Sequence, residues 1–342
     1  MNLRNVTVII PAHNRPERLR RLLRYYRNTG IRVIVPDSSV KRFDGISEFP
    51  DVVYRHLPSM SFLDKLREVI DLIETDYVLW CADDDFTVPE AIAEIVEFMD
   101  ANPDYSVVQG HYLTFEPSKD WKTATFTPRY IRKFDSRIDH DSPRERLLDE
   151  KSLYASTLYA VTRREVFQKM YRACYREDGT PLFTNLYAAE EFFIHATLIA
   201  GKYATLPVFY SARERIPGSA TSTTVPMAVV KTSPEYAGEY SNYLDILGRL
   251  LSEAEGSDFA DAREFIRRIS DMPKAESSVS LKRKVLGFIG RHRLLSPLSK
   301  LADRRYVAKG LKAVEGLQSY PCKFSTPERE AITSAIRSTW ED

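Results

Sequence analysis

The chain opens on a run of apolar residues, Val6-Thr7-Val8-Ile9-Ile10, and comparable runs recur at Ile31 to Val35, at Val52-Val53-Tyr54 and at Tyr77 to Cys81. Runs of about five apolar residues without alternation suit strands covered on both faces of a parallel sheet. Between these runs the period changes. After Pro16, residues Leu19, Leu22, Leu23 and Tyr26 repeat at helical spacing,. Ser61 and Asp64 make a capping-box pattern ahead of the stripe Phe62, Leu66, Val69, Ile70 and Ile73, and Ile92, Ile95, Val96 and Met99 follow Pro89,. A further strand is expected from Ser106 to Phe115. This alternation predicts a doubly wound parallel sheet. Because βαβ units are right-handed almost by rule, Asp37, just after the second strand, falls beside the polar loop Pro11-Ala12-His13-Asn14-Arg15 at the carboxyl edge.

Beyond residue 115 the pattern loosens. Residues 116 to 150 are polar and irregular, which predicts a functional loop or an insertion. Ser152 to Val161, with Tyr154, Thr157 and Tyr159, reads as a strand, and Thr162 starts a helix through Met170. A helix is expected to begin at Ala189 and continue to about Ala200, followed by a strand from Tyr203 to Tyr210. From Glu235 onward the chain is helical in character, with a broad apolar face of Tyr240, Tyr243, Leu244, Ile246, Leu247, Leu250 and Leu251 and a shorter one from Phe259 to Ile269. The expected division is one domain over 1–230, with halves 1–115 and 116–230, and a helical region over 231–342.

With 342 residues, 43% hydrophobic and 28% charged, the chain is expected to bury a sizeable core,. Its net charge of +1 gives no argument for nucleic acid as a partner. Cys81, Cys174 and Cys322 are far apart and lack metal-type spacing, so they read as reduced thiols of a cytoplasmic protein,. No run approaches the roughly 20 apolar residues that span a bilayer. Residues 280 to 313 are rich in Leu, Lys and Arg, which suits either a wet basic helical face or peripheral attachment at the inner face of the cell membrane,.

The candidate chemistry sits at Asp83-Asp84-Asp85, directly after the most apolar run. A lone Asp there would be a turn residue. Three adjacent carboxylates repel one another unless a cation or hydrogen-bond donors offset them, and ligands in open α/β sheets bind outside the carboxyl ends of strands. That points to a divalent metal carrying an anionic, phosphorylated ligand. Lys65, at the edge of its helical stripe, either snorkels beside the core or reaches that ligand. Arg18, Arg20, Arg21, Arg24 and Arg27 read as a solvated helix face. Glu190 and Glu191 are, on their own, ordinary acids of a first helical turn, and His195 reads as a core or hydrogen-bonded histidine. Arg213 and Arg215 ahead of a Gly/Ser/Thr-rich run suit either a mobile lid over a departing diphosphate or an exposed linker.

Taken in order, VTVIIPAHNRPERLRRLL, VIVPDSS, a lysine-bearing helix and YVLWCADDDFTVPEAI resemble the nucleotide-binding half of a GT-A glycosyltransferase of family 2, over residues 5 to about 115 and more loosely to about 225. The resemblance implies a doubly wound mixed sheet with a helical C-terminal subdomain. It also implies an inverting transferase moving a sugar from a nucleoside diphosphate sugar, as UDP-sugar, to a saccharide or lipid-linked glycan, in bacterial surface polysaccharide synthesis. Pro11, His13, Asn14, Arg15 and Asp37 would contact base and ribose. Asp83 and Asp85 would form the DxD pair, with Asp85 on Mg²⁺ or Mn²⁺ and Asp84 between them. Glu191 would be the catalytic base beside Glu190. The chain departs from the pattern in having no histidine near 211–225 as an additional metal ligand. Two other readings stand beside this one: a glycan-binding or assembly module without turnover, and a sugar nucleotidyltransferase, which would need a Gly-rich loop where Pro11 to Pro16 has no glycine.

Overall fold

A computed structural model describes residues 3–129, 136–153, 157–215, 224–272 and 326–338. The first half follows the apolar runs closely. Strand β1 is Val6–Ile9, helix α1 Pro16–Tyr26, β2 Arg32–Asp37, β3 Val53–His56, α2 Phe62–Ile70 and β4 Tyr77–Trp80. Strands β3, β2, β1 and β4 lie side by side and all parallel. Alternate residues of each strand enter different cores: Val8 and Leu79 go to one face, Ile9, Val78 and Trp80 to the other. Covering on both faces is why these strands read as unbroken apolar runs.

The second half departs from the all-parallel order of the alternation and gives the mixed sheet that the resemblance implies. After β5 (Phe86–Thr87) and α3 (Pro89–Ala101) comes the long β6 (Tyr105–Pro117), which forms a hairpin with β7 (Ala124–Arg129). Then follow β8 (Ser136–Ile138), α4 (Pro143–Leu153), β9 (Val161–Arg163), α5 (Arg164–Arg172), α6 (Leu186–Ala200) and β10 (Lys202–Glu214). The sheet order is β3-β2-β1-β4-β9-β6-β10-β5. β9 runs antiparallel to both β4 and β6, and β5 antiparallel to β10, so the sheet is mixed.

Several sequence expectations change here. The described residues of 116–150 are more regular than expected: they hold a hairpin turn closed by Ser118 N–H on Thr123 O at 2.8 Å, the strands β7 and β8, and most of α4. The strand expected from Ser152 is displaced: α4 continues to Leu153, and among the described residues of that stretch the strand begins at Val161, as β9. Buried Arg146 anchors α4 tertiarily, donating to Leu198 O at 2.6 Å and Ile199 O at 2.9 Å at the end of α6. Helix α6 starts three residues early. Asn185 caps it, its side-chain oxygen accepting from Tyr187 N at 2.9 Å and Ala188 N at 3.1 Å,. Glu190 and Glu191 therefore stand in its second turn, not its first.

Helices α7 (Met227–Val230), α8 (Ala237–Glu255) and α9 (Phe259–Asp271) add to the face that carries α2, α5 and α6. Gly248 lets α8 and α9 meet closely, since a Cβ there would stand 3.0 Å from Arg263 Cα. A last helix, α10 (Thr326–Arg337), packs Ile332 and Ile336 into the other core, against α1. The basic segment 280–313 and most of the expected lid, 216–223, lie outside the described residues. Among the described residues no helix is long and apolar enough to cross a membrane.

Candidate active site

The carboxyl ends of β1 and β2 are knitted into one wall. Ala12 N–H donates to Pro36 O and Ser38 N–H to Ala12 O, each at 3.1 Å, extending the ladder past the strands and bringing Asp37 opposite Ala12. Asn14, with φ at 53°, takes the left-handed backbone that asparagine tolerates, donating its N–H to Ser39 Oγ at 2.7 Å while its side-chain oxygen accepts from Val40 N at 3.1 Å,. His13 Nδ1 lies 3.0 Å from Ser38 Oγ. Pro11 begins this loop. Asp37 is buried and accepts from Ser39 N, from Ser39 Oγ and from Tyr54 OH at 2.6 Å. Lys65 is buried too, its ammonium donating to Ala12 O at 2.8 Å and Ser38 Oγ at 3.1 Å. Burial pulls its pKa down to about 8, with Asp83 and Asp37 holding back part of the fall. Of the two readings of Lys65, the structure thus adds a third: it ties the two loops together from behind.

Facing this wall, the chain turns at the end of β4, with Asp85 N–H on Ala82 O at 3.0 Å. Asp83 accepts from Arg15 Nη1 at 3.0 Å and from His13 N at 3.3 Å, and Asp84 accepts from the same Arg15 nitrogen at 2.7 Å. Burial, and then the Asp84 charge, push the Asp83 carboxyl up to about 6. Asp85 looks the other way, to Arg213 Nε and to Glu214 N, both at 3.0 Å. Its pKa is also raised, by burial first, with Arg213 opposing.

Arg213 therefore belongs to a strand, not to a mobile lid. Its guanidinium lies 4.3 Å over the Tyr159 ring and 5.9 Å from that of Tyr112,. Glu214 beside it accepts from Arg18 at 2.7 and 3.1 Å and from Arg21 at 2.9 Å. The solvated basic face expected for α1 is corrected here: Arg21 is completely buried and Arg18 half-buried, because Glu214 gives both a partner. Arg215 points elsewhere, to Glu116 at 2.9 Å.

Helix α6 divides the two candidate bases. The charge of Glu190 is felt at Tyr159, whose pKa is pushed up to about 12 by burial and by Asp85 and Glu190 against Arg213. Glu191 is felt instead at Tyr243, and it lines a separate cavity of about 610 Å³ with Lys151, Lys231, Tyr240, Arg267 and Asp271. His195 is a buried, hydrogen-bonded histidine, its Nδ1 2.6 Å from Tyr243 OH.

The metal expectation meets a different arrangement. Both oxygens of Asp83 and both of Asp85 already carry donors, and these two carboxylates turn to separate partners. Among the described residues no three His, Cys, Asp or Glu side chains gather around a common point. As placed, these side chains do not form a metal-binding set. Instead four acids, Asp83, Asp84, Asp85 and Glu214, face four arginines, Arg15, Arg18, Arg21 and Arg213. Glu214, Arg18, Arg21 and Tyr159 escape a sequence reading, because nothing local marks a charged residue at a strand end as the partner of a helix far away in the chain.

Residues 7–171 match the family described as glycosyl transferase family 2. No curated protein matches the chain in sequence. Among solved structures, S. aureus TarS 1–349 in complex with UDP-GlcNAc shares the fold with a TM-score of 0.51 and 14% identity, over 98% of this chain and 90% of that one. The same TarS fragment with UDP gives a TM-score of 0.49 at 14% identity over the same shares. A longer TarS structure gives 0.47 at 15% identity, over 83% of this chain and 47% of that one. With the family match over its first half and the mixed sheet just described, the chain carries a glycosyltransferase domain of GT-A fold, similar to glycosyltransferase family 2.

Proposed function

We propose that the protein transfers a sugar from a UDP-sugar to a hydroxyl of a saccharide acceptor, with inversion at the anomeric carbon. The observation that supports this best is the convergence at one sheet edge of the acidic turn, the wall made by residues 11–15 and 37–40, and Arg213 stacked on Tyr159 within the field of Glu190. UDP is favoured because TarS, which shares the fold, was solved with UDP-GlcNAc.

In this reading the loop Pro11 to Arg15 and Ser38-Ser39 receive base and ribose, and Asp37 and Lys65 act from behind by fixing those loops. Glu190 takes the proton from the acceptor hydroxyl as its oxygen attacks the anomeric carbon. The bond from that carbon to the diphosphate oxygen breaks, and the electron pair leaves on UDP. Arg15 and Arg213, in a half-buried site where charge interactions are strong, offset the growing negative charge,. Glu190, rather than Glu191, is assigned the base because its charge acts on Tyr159, the ring under Arg213, while Glu191 lines the cavity beside Tyr240 and Arg267.

The test is UDP release from a panel of UDP-sugars. Glu190→Gln is expected to lower turnover by about 10²- to 10⁴-fold with UDP affinity kept, and Glu191→Gln by less than about tenfold. The opposite ranking would move the base to Glu191. Absence of turnover with every UDP-sugar by a protein that also fails to bind UDP would remove the transferase reading.

A further inference from the structure

Arg21 is an expensive residue where it stands. It is completely buried, its Nε and Nη1 have no hydrogen-bond partner, and its guanidinium lies 4.8 Å over the Phe86 ring and 5.7 Å from that of Phe115. A buried ion pair is weak evidence for stability, since apolar residues of similar volume do as well or better there. Local stability costs of this kind concentrate at functional sites.

The single satisfied nitrogen shows what the residue does. Arg21 Nη2 donates to Asp84 O and to Glu214 Oε2, each at 2.9 Å. Glu214 in turn gives its backbone N–H to Asp85 Oδ1 at 3.0 Å. Asp84 and Asp85 are neighbours in the chain, so the three contacts close a ring: α1 holds the acidic turn by a carbonyl, holds β10 by a carboxylate, and β10 holds the acidic turn by a carboxylate. Arg213, one residue before Glu214, is oriented by the same ring. We propose that Arg21 and Glu214 are positioning residues that, by fixing the acidic turn and the end of β10 to each other, hold the Asp85-paired Arg213 guanidinium where it can meet the diphosphate. The proposal rests on the donor-site reading above and deepens it.

A positioning role and mere fold support differ in what the paired variants do to ligand affinity once stability is restored, so a double-mutant cycle separates them. The variants are Arg21→Met, Glu214→Gln and the two together, each measured by thermal melting and by calorimetric titration with UDP, with and without Mn²⁺. Arg21→Met strands the buried Glu214 with Arg18 alone and is expected to melt about 10 °C lower. The double variant, with neither charge, is expected to regain most of that loss. UDP affinity is expected to fall at least about tenfold in both single variants and to stay low in the double variant. Wild-type UDP affinity in the refolded double variant would overturn the proposal, and so would a double variant that does not fold, since the pair would then be structural. If wild-type protein itself does not bind UDP, the failure lies with the donor-site reading and not with this pair.

Discussion

Asp83 carries the tension of this site at the scale of one residue. Its carboxyl is buried beside Asp84 and titrates at about 6 instead of the usual 3.8. A folded pKa above the unfolded one means that folding takes up a proton between those values, so this group's contribution improves as pH falls through about 6 and is worst above it. The ionised form costs the fold roughly 3 kcal/mol at neutral pH. Asp83→Asn is therefore expected to stabilise the protein at pH 8 by about 1–2 kcal/mol, the remainder being lost with the Arg15 contact. Melting curves across pH check this: the gain should shrink below pH 6, and a variant less stable than wild type at pH 8 would refute it. Three acids after an apolar run were legible as a candidate site because the pattern is local. Arg21 was not, because its partner Glu214 is 193 residues away and burial of an arginine depends wholly on that partner.

At the scale of elements, α6 separates the two acids between which the proposed base is chosen. Successive helical residues point about 100° apart, so Glu190 and Glu191 serve different sides of one helix: Tyr159 and the acidic turn on one, Tyr243 and the separate cavity on the other. Where the helix begins fixes that assignment. Asn185 holds the first turn by two backbone hydrogen bonds and also donates to Val225 O at 3.1 Å. Asn185→Ala is expected to cost about 1–2 kcal/mol and to lower turnover through a loosened Glu190, measurable by melting together with UDP-sugar turnover; an unchanged melting temperature would contradict this role for the cap. Strands with unbroken apolar runs and helices with a clear stripe were readable. The displaced ones were not: α4 is held by Arg146 through long-range contacts that leave no period in the sequence, and the Asn185 cap of α6 is a local signal outside the apolar pattern,.

At the scale of the whole molecule, the sheet separates two cores and its carboxyl edge collects the chemistry. The α8–α9 pair lies on the α6 side and α10 on the α1 side, so both helices that carry key charges are packed from outside by C-terminal elements. The fold class was legible from strand-helix alternation over the first 115 residues, whereas the reversal at β9 was not, since a three-residue strand has no periodicity to read. In the proposed function this edge binds the diphosphate of a nucleotide donor between Arg15 and Arg213. Calorimetric titration of UDP against wild type and Arg213→Met, with uridine as the control lacking phosphate, tests it most directly. UDP is expected to bind wild type, uridine to bind at least about tenfold more weakly, and Arg213→Met to remove most of the difference. Equal affinity for UDP and uridine, or no binding of UDP with or without Mn²⁺, would contradict it.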